Sequence, residues 1–297
     1  MKIFSGTSNQ FLAERIAGDL GTKLSGLEVF VFPDGEKRIR ILDKVLDEDT
    51  VVVQSTSTPV DENYMQLFFI IDALKRGGAK SVTAVVPYFG YQRQDHIFRE
   101  GEDVSVKMVA EILSKIGLEK VIAVDFHSVK IREAFAIPAL ELSALPLFAE
   151  TIKEKALNRD AFLVSPDMGG IRRIKILSEL LNNMPFVVIE KNRDLVTGVV
   201  SADKFEGQIG KKAIIVDDMI SSGGTITVAA DLLKKNGVGE VCVFATHAVF
   251  SEKAPKILQE SGVNSVYVTD TVFVPEEKKF PKLKILSVSQ IISDVIK

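Results

Sequence analysis

The chain is short of several things, and each shortage narrows what it can be. Its one cysteine among 297 residues, Cys242, leaves no partner for an intrachain disulfide. It lies in the apolar run VCVFA and reads as a small buried hydrophobe. No apolar run approaches the roughly eighteen residues of a spanning helix. Met1 to Gln10 lacks the apolar core of a secretory signal, so a cytoplasmic protein with no membrane partner is the expectation. Charge excess is missing as well. A formal net charge of −3 and a pI near 5.8 leave no basic footprint for nucleic acid, so any basic site must be local. No low-complexity linker interrupts the chain, which predicts domains packed tightly together.

What is present is an apolar content of 46%, enough to bury a sizeable core in two medium domains. Short apolar, β-rich runs alternate with helical patterns from end to end. Strands are expected near 29–32, 50–54, 82–86, 121–125, 162–165, 186–190, 213–217, 240–246, 265–268 and 284–288. Helices are expected near 10–21, 61–76, 105–116, 146–157, 170–181, 225–235 and 254–261. Such alternation predicts an α/β protein of right-handed βαβ units, with mainly parallel sheets and helices on both faces. The expected division is 1–143 and 144–280, with a tail from about 281 to 297 packing back on the first domain.

The most informative stretch is Ala213-Ile214-Ile215-Val216-Asp217-Asp218-Met219-Ile220-Ser221-Ser222-Gly223-Gly224-Thr225. AIIV reads as a buried parallel strand, and the residues after Thr225 read as a helix ending at Gly237. The loop between them would aim backbone N–H groups at an anion, with Gly223 and Gly224 allowing close approach. Hydroxyls of Ser221, Ser222 and Thr225 add donors. Carboxylates repel phosphate, so Asp217 and Asp218 suit vicinal sugar hydroxyls, for which they are acceptors only. A plain turn with solvated aspartates is the bland alternative. Two adjacent carboxylates at the C-terminal end of a strand, where open α/β sheets place ligands, favour the sugar-phosphate reading.

Other strands run into polar clusters. In Val86-Pro87-Tyr88-Phe89-Gly90-Tyr91-Gln92-Arg93-Gln94-Asp95-His96, Arg93 is a fork for phosphate oxygens, Gln94 offers amide bonds, and the aromatic rings offer stacking faces. Here an aromatic-capped strand end is an equal alternative. Asp125-Phe126-His127-Ser128 and Ser165-Pro166-Asp167-Met168-Gly169-Gly170 present His127 and Asp167 at two further strand ends. If these edges meet, the two could flank a Mg²⁺ shared with substrate phosphates, because magnesium prefers oxygen and keeps its waters. Lys191 and Arg193 precede a stretch without helical pattern and suit cations that close over transferring phosphates. A solvated turn is the alternative. Phe32-Pro33-Asp34-Gly35-Glu36 reads locally as the turn of a hairpin.

Together, FPDGE (32–36), QSTSTPVDENYMQL (54–67), PYFGYQRQD (87–95), DFHS (125–128), SPDMGG (165–170), EKNR (190–193) and VDDMISSGGT (216–225) resemble the ribose-phosphate pyrophosphokinases, in family order over nearly the whole chain. The resemblance implies tandem phosphoribosyltransferase-type domains and transfer of the β,γ-pyrophosphoryl group of ATP to the C1 hydroxyl of ribose 5-phosphate, with Mg²⁺. It implies ATP binding by Arg93, Gln94 and Asp95, and by Phe32, Asp34, Gly35 and Glu36 across the subunit interface of a homo-oligomer. It further implies Mg²⁺ at His127 and Asp167, and Lys191 and Arg193 acting on the transferring phosphates, with Arg193 also at the sugar phosphate. Ribose 5-phosphate falls to Asp217, Asp218 and Ser221 to Thr225.

Where many members carry a third aspartate and a Thr-Cys pair, this loop has Ser221-Ser222-Gly223, which resembles the archaeal branch. Leu140-Glu141 replaces the Asp-Asn pair of ADP-inhibited members, and HIFREGED (96–103) replaces a more basic stretch, so ADP and phosphate regulation are expected to differ. Two rivals share parts of the pattern. A phosphoribosyltransferase would need the sugar-phosphate loop but not PYFGYQRQD or FPDGE. A silent regulatory subunit would not be expected to keep Lys191, Arg193, His127 and Asp167 together.

Overall fold

A computed structural model describes residues 1–189, 210–251 and 253–297, together with the backbone of 191–193 and 200–202. The chain divides into two compact units: Met1–Leu142 with Thr271–Phe273 and Ser287–Lys297, and Ser143–Asp270 with Val274–Leu286.

The first unit is built from β1 (Lys2–Ser5), α1 (Gln10–Asp19), β2 (Leu27–Val31), β3 (Lys37–Ile41), β4 (Asp49–Val53), α2 (Val60–Arg76), β5 (Ser81–Val86), α3 (Ser105–Lys115), β6 (Lys120–Val124) and β7 (Ala139–Leu142). Its sheet has the order β1-β4-β5-β6-β7 and is parallel throughout. The apolar runs Val51–Val53, Ala84–Val86 and Val121–Val124 are buried along their whole length, as strands covered on both faces must be. Helix α2 opens with Asp61 and Glu62 and closes with Lys75 and Arg76, complementing its dipole at each end. Its Leu67, Ile70, Ile71 and Leu74 line one face of the core with Phe4, Val52 and Phe89. β2 and β3 form a separate antiparallel hairpin paired from Leu27↔Ile41 to Val31↔Lys37. Its turn holds Phe32 to Glu36, so the local hairpin reading stands.

The second unit contains α4 (Leu145–Glu154), β8 (Ala161–Ser165), α5 (Ile171–Leu180), β9 (Phe186–Val188), β10 (Lys191–Arg193), β11 (Val200–Ala202), β12 (Lys212–Ile220), α6 (Gly224–Lys235), β13 (Glu240–Ala248), α7 (Ala254–Glu260), β14 (Ser265–Thr269) and β15 (Leu283–Leu286). Its parallel sheet has the order β15-β14-β13-β12-β8-β9. From β8 the chain adds β9 on one side and then returns to add β12 on the other. The order therefore reverses between β8 and β12, the place where open α/β sheets bind ligands beyond their C-terminal ends. Phe162, Val164, Ile215, Val243 and Val266 from the strands pack with Ile226, Ala230 and Leu233 of α6 in one core. The last helix, α8 (Ser289–Ile296), packs against α1 in the first unit.

The structure departs from the sequence reading at two of the strands that carry candidate site residues, and adds β1, β3, β7 and α8, which were not expected. Strand β12 does not end at Asp217; its ladder with β13 runs on to Met219↔His247 and Ile220↔Ala248, because β13 is equally long. Lys191–Arg193 are not the end of β9 but a short strand of their own, β10, paired antiparallel with β11 from Lys191↔Ala202 to Arg193↔Val200. The side chains of Lys191 and Arg193 lie outside the described residues. Among the described residues, no helix is long and apolar enough to cross a membrane.

Candidate active site

In the second unit, two strand ends meet at the point of reversal. β8 leads into Asp167–Gly170, where Ser165 Oγ donates to the Asp167 carbonyl at 2.7 Å and Gly170 N–H donates to Asp167 Oδ1 at 3.3 Å. A Cβ at Gly170 would collide with Ser165 Oγ, so glycine is what lets this turn close. β12 carries Asp217 and Asp218. Asp217 Oδ1 accepts from the Asp218 N–H at 2.9 Å, which folds the carboxylate back along the strand.

A residue that sequence reasoning missed joins the two. Arg173, in the first turn of α5, puts Nη1 3.6 Å from Asp217 Oδ1 and Nη2 3.6 Å from Asp218 Oδ1. These are ion pairs rather than tight hydrogen bonds. All three groups are largely withdrawn from water, with side-chain exposures of 16% for Arg173, 14% for Asp217 and 6% for Asp218. Burial, and then the like charge of Asp218, hold the Asp217 carboxyl well above the usual carboxylate range, with Arg173 opposing them and Asp167 adding to them. One guanidinium thus shares two adjacent carboxylates that would otherwise resist ionising together.

Beyond β12 the loop is braced from outside. Phe250 N–H donates to Ile220 O and Ser251 N–H to Ser221 O, both at 3.0 Å. Gly223 has φ +81°, the left-handed conformation that glycine adopts freely, and caps α6 with no side-chain hydrogen bond. Gly224 N–H reaches Ser222 Oγ only at 3.5 Å, so the start of α6 is closed by no tight capping bond and can turn its N–H groups to an anion. Ser221, Ser222, Gly223, Gly224 and Thr225 surround that helix start.

In the first unit, the loop after β5 is fixed mainly by neutral contacts. Tyr64 Oη donates to Gly90 O at 2.8 Å and Gly90 N–H donates to Thr56 Oγ1 at 2.7 Å. Tyr88 and Phe89 are buried. They are core residues and do not offer stacking faces; only Tyr91 of the three aromatics is exposed, and it stacks on Tyr64. Arg93 is exposed. Gln94 donates through Nε2 to Asp103 O at 3.2 Å, so its amide also holds the following loop. Asp95 lies 2.5 Å from His96 Nδ1. Burial raises its carboxyl, but hydrogen bonds from His96 and Ser128 and the nearby His96 and His127 outweigh that and bring it below the usual range. Gln92, also missed, accepts from the His127 N–H through Oε1 at 3.0 Å and ties the DFHS loop to PYFGYQRQD. His127 itself is exposed.

The hairpin turn is ordered by Phe32 N–H donating to Glu36 O at 2.8 Å, Gly35 N–H to Phe32 O at 2.9 Å and Glu36 N–H to Asp34 Oδ1 at 3.1 Å. Phe30, Val31 and Phe32 remain exposed, with Arg38 lying over both phenyl rings at 5.0 and 5.8 Å. Among the described residues, no three His, Cys, Asp or Glu side chains gather as a metal cage.

Comparison with known proteins agrees along the whole chain. Residues 1–117 match the N-terminal domain of ribose phosphate pyrophosphokinase, and residues 172–297 match the phosphoribosyl synthetase-associated domain. The ribose-phosphate pyrophosphokinase of Fusobacterium nucleatum is 42% identical, over 100% of this chain and 94% of its own. That of Caldanaerobacter subterraneus is 40% identical, over 100% and 93%. The chloroplastic ribose-phosphate pyrophosphokinase 2 of rice is 38% identical, over 100% and 74%. The crystal structure of phosphoribosylpyrophosphate synthetase from Mycobacterium smegmatis superposes with a TM-score of 0.93 at 34% identity, covering 99% of this chain and 97% of that one. With agreement of this depth in both sequence and fold, the chain belongs to the ribose-phosphate pyrophosphokinase family.

Proposed function

We propose that the two loop clusters divide one reaction between them, the second unit holding the sugar phosphate and the first the nucleotide. As a ribose-phosphate pyrophosphokinase, the chain moves the β,γ-pyrophosphoryl group of ATP to ribose 5-phosphate. The C1 hydroxyl oxygen bonds to the β-phosphorus, the bond from that phosphorus to the α,β-bridging oxygen breaks, and AMP leaves as the hydroxyl proton is lost. The carrying observation is the pairing, in one strand-to-helix connection, of the Asp217–Asp218 carboxylates with a helix start whose N-cap, Gly223, supplies no side-chain cap. Asp217 and Asp218 accept from the ribose hydroxyls, while the amides and hydroxyls from Ser221 to Thr225 take the 5-phosphate.

Arg93, Gln94 and Asp95 bind ATP. Phe32, Asp34, Gly35 and Glu36 complete the adenine pocket of a neighbouring subunit, which would give the exposed Phe30–Phe32 edge a use and make a homo-oligomer the working form. Lys191 and Arg193 close on the transferring phosphates, and Arg193 also meets the sugar phosphate. The donor set suits Mg²⁺ carried by substrate: Asp167 supplies hard oxygen, His127 an imidazole, and the described residues form no cage that would hold an ion without phosphate ligands. When bound, the ion neutralises charge on the polyphosphate. The likeness of Ser221-Ser222-Gly223 to archaeal members rests on those residues alone, since the relatives named above are bacterial and plant. A cytoplasmic setting accords with the lone buried cysteine.

The test is direct. Protein incubated with ATP, Mg²⁺ and ribose 5-phosphate should release AMP and phosphoribosyl pyrophosphate in equal amounts, and AMP release should stop without the sugar phosphate. Formation of ADP instead, or consumption of phosphoribosyl pyrophosphate with a free base, would reject this assignment.

A further inference from the structure

Arg173 occupies a position that local helix physics disfavours. Helix α5 begins with Arg172 and Arg173 in its first turn and has no acidic residue there, although the positive end of the dipole favours carboxylates. Arg172 and Lys175 follow the expected course and point to solvent, whereas Arg173 is turned inward. Its guanidinium bridges two consecutive carboxylates on a different element, and a Cβ at Gly170 would lie 3.5 Å from Nη1. A local rule broken at a buried, charged place marks a group retained for something other than the helix.

We propose that Arg173 is the positioning residue of the sugar site, its fork holding the neighbouring Asp217 and Asp218 carboxyl groups in a fixed orientation for the ribose hydroxyls and offsetting part of their mutual repulsion. The inference rests on reading this loop as the ribose 5-phosphate site. Adjacent carboxylates with so little solvent cannot both stay ionised and aligned without a counter-charge, since each raises the cost of the other's charge. Arg173 meets each carboxylate with a separate nitrogen, which a point charge such as lysine can do only in part. At 3.6 Å the contacts leave the carboxylates' hydrogen-bonding capacity for hydroxyl donors rather than consuming it. Arg173 acts through the aspartates and need not touch the sugar.

The experiment compares Arg173→Met, Arg173→Lys, Asp217→Asn and the double variant Arg173→Met/Asp217→Asn in the full-length protein. Ribose 5-phosphate affinity is read by calorimetry and ATP KM by steady-state kinetics. Arg173→Met should raise the sugar-phosphate Kd about tenfold or more, as expected when one partner of a buried charge group is lost, with ATP KM unchanged. Arg173→Lys should recover part of the loss. In the Asp217→Asn background, removing Arg173 should cost clearly less, because one of its two charges is already gone. If Arg173→Met fails to fold, Arg173→Gln carries the same expectation. Unchanged sugar affinity in Arg173→Met alongside a loss in Asp217→Asn would overturn the role of Arg173 while leaving the sugar site intact. Additive losses, or equal weakening towards ATP, would make Arg173 merely structural and also overturn it. No effect of Asp217→Asn itself would reject the sugar-site reading, and this inference with it.

Discussion

The two units place polar loops beyond parallel strands, yet they hold those loops by opposite means. In the first, the loop after β5 is set by neutral contacts: Gly90 between Thr56 and Tyr64, Phe89 in the core, and Gln92 on the His127 amide. Arg93 and His127 stand at the surface of that scaffold, while the Asp95 side chain beside His96 is largely withdrawn from water. In the second, the charges themselves are the scaffold, with Arg173, Asp217 and Asp218 withdrawn from water at the reversal of strand order. The sheets explain part of the difference. The first adds its strands β1, β4, β5, β6 and β7 in one direction, so it offers no crevice of the kind found between β8 and β12. Similar layers can therefore yield one site sensitive to packing and another sensitive to charge.

The largest effect should come from the cations proposed to act on the transferring phosphates. Lys191→Ala should lower kcat about a thousandfold with little change in the ribose 5-phosphate Kd, because a cation on the transferring phosphates acts in the transition state. Turnover near that of the parent would remove Lys191 from catalysis.

Glycine substitutions break the comparison next. At Gly90 a Cβ would lie 2.5 Å from Thr56 O and 2.8 Å from Val60 Cγ1, so Gly90→Ala should lower Tm by roughly 5 °C through overpacking. At Gly224 the nearest atom is Ser222 Oγ at 3.7 Å. Gly224→Ala should leave Tm within about 1 °C and raise the ribose 5-phosphate KM, since the new methyl stands where phosphate approaches the helix start. Scanning calorimetry with kinetics on both variants separates the two modes, and a reversed pattern would end the distinction.

A smaller effect sharpens the contrast through pH. The Asp95 carboxyl is lowered in the fold, so its ionised form stabilises the protein above the ordinary carboxylate range and that contribution disappears as pH falls through its folded pKa. Asp217 is raised, so keeping it ionised costs stability above its folded pKa, and the cost vanishes below the unfolded value. Asp95→Asn should therefore lower Tm at neutral pH, whereas Asp217→Asn should raise it while weakening ribose 5-phosphate binding. The Asp217 difference should shrink towards zero below the ordinary carboxylate range, and the Asp95 difference further into acid, as pH falls through its lowered folded pKa. Melting curves from acid to neutral pH check the signs, and a shared sign would contradict the two electrostatic settings.

Much of this was legible in the residues. The alternation of apolar runs and helical faces located the central strands of both sheets and seven helices, because a strand buried on both faces must be apolar throughout. Harder to read were β1, only four residues long, and β3, whose sequence KRIRI hides its alternation under three cations. The eight-residue α8 escaped because its burial depends on α1. Within the site, Asp217, Asp218 and the glycine loop announced themselves through residue types rare at a strand end. Arg173 looked like one more surface cation on a helix, and Gln92 like a polar neighbour of Arg93.

The sequence by itself determined the alternating α/β architecture, the strand-to-loop motifs and the chemistry those motifs can perform, since these depend on neighbours within a few residues. Tertiary structure alone decided that β12 runs on to Ile220, that Tyr88 and Phe89 turn inward, that Thr271–Phe273 belongs to the first unit, and that Arg173 meets both aspartates. Periodicity records which face of a segment is buried. It carries no information on which distant side chain, brought across by the reversal of strand order, will share that burial and supply the opposing charge.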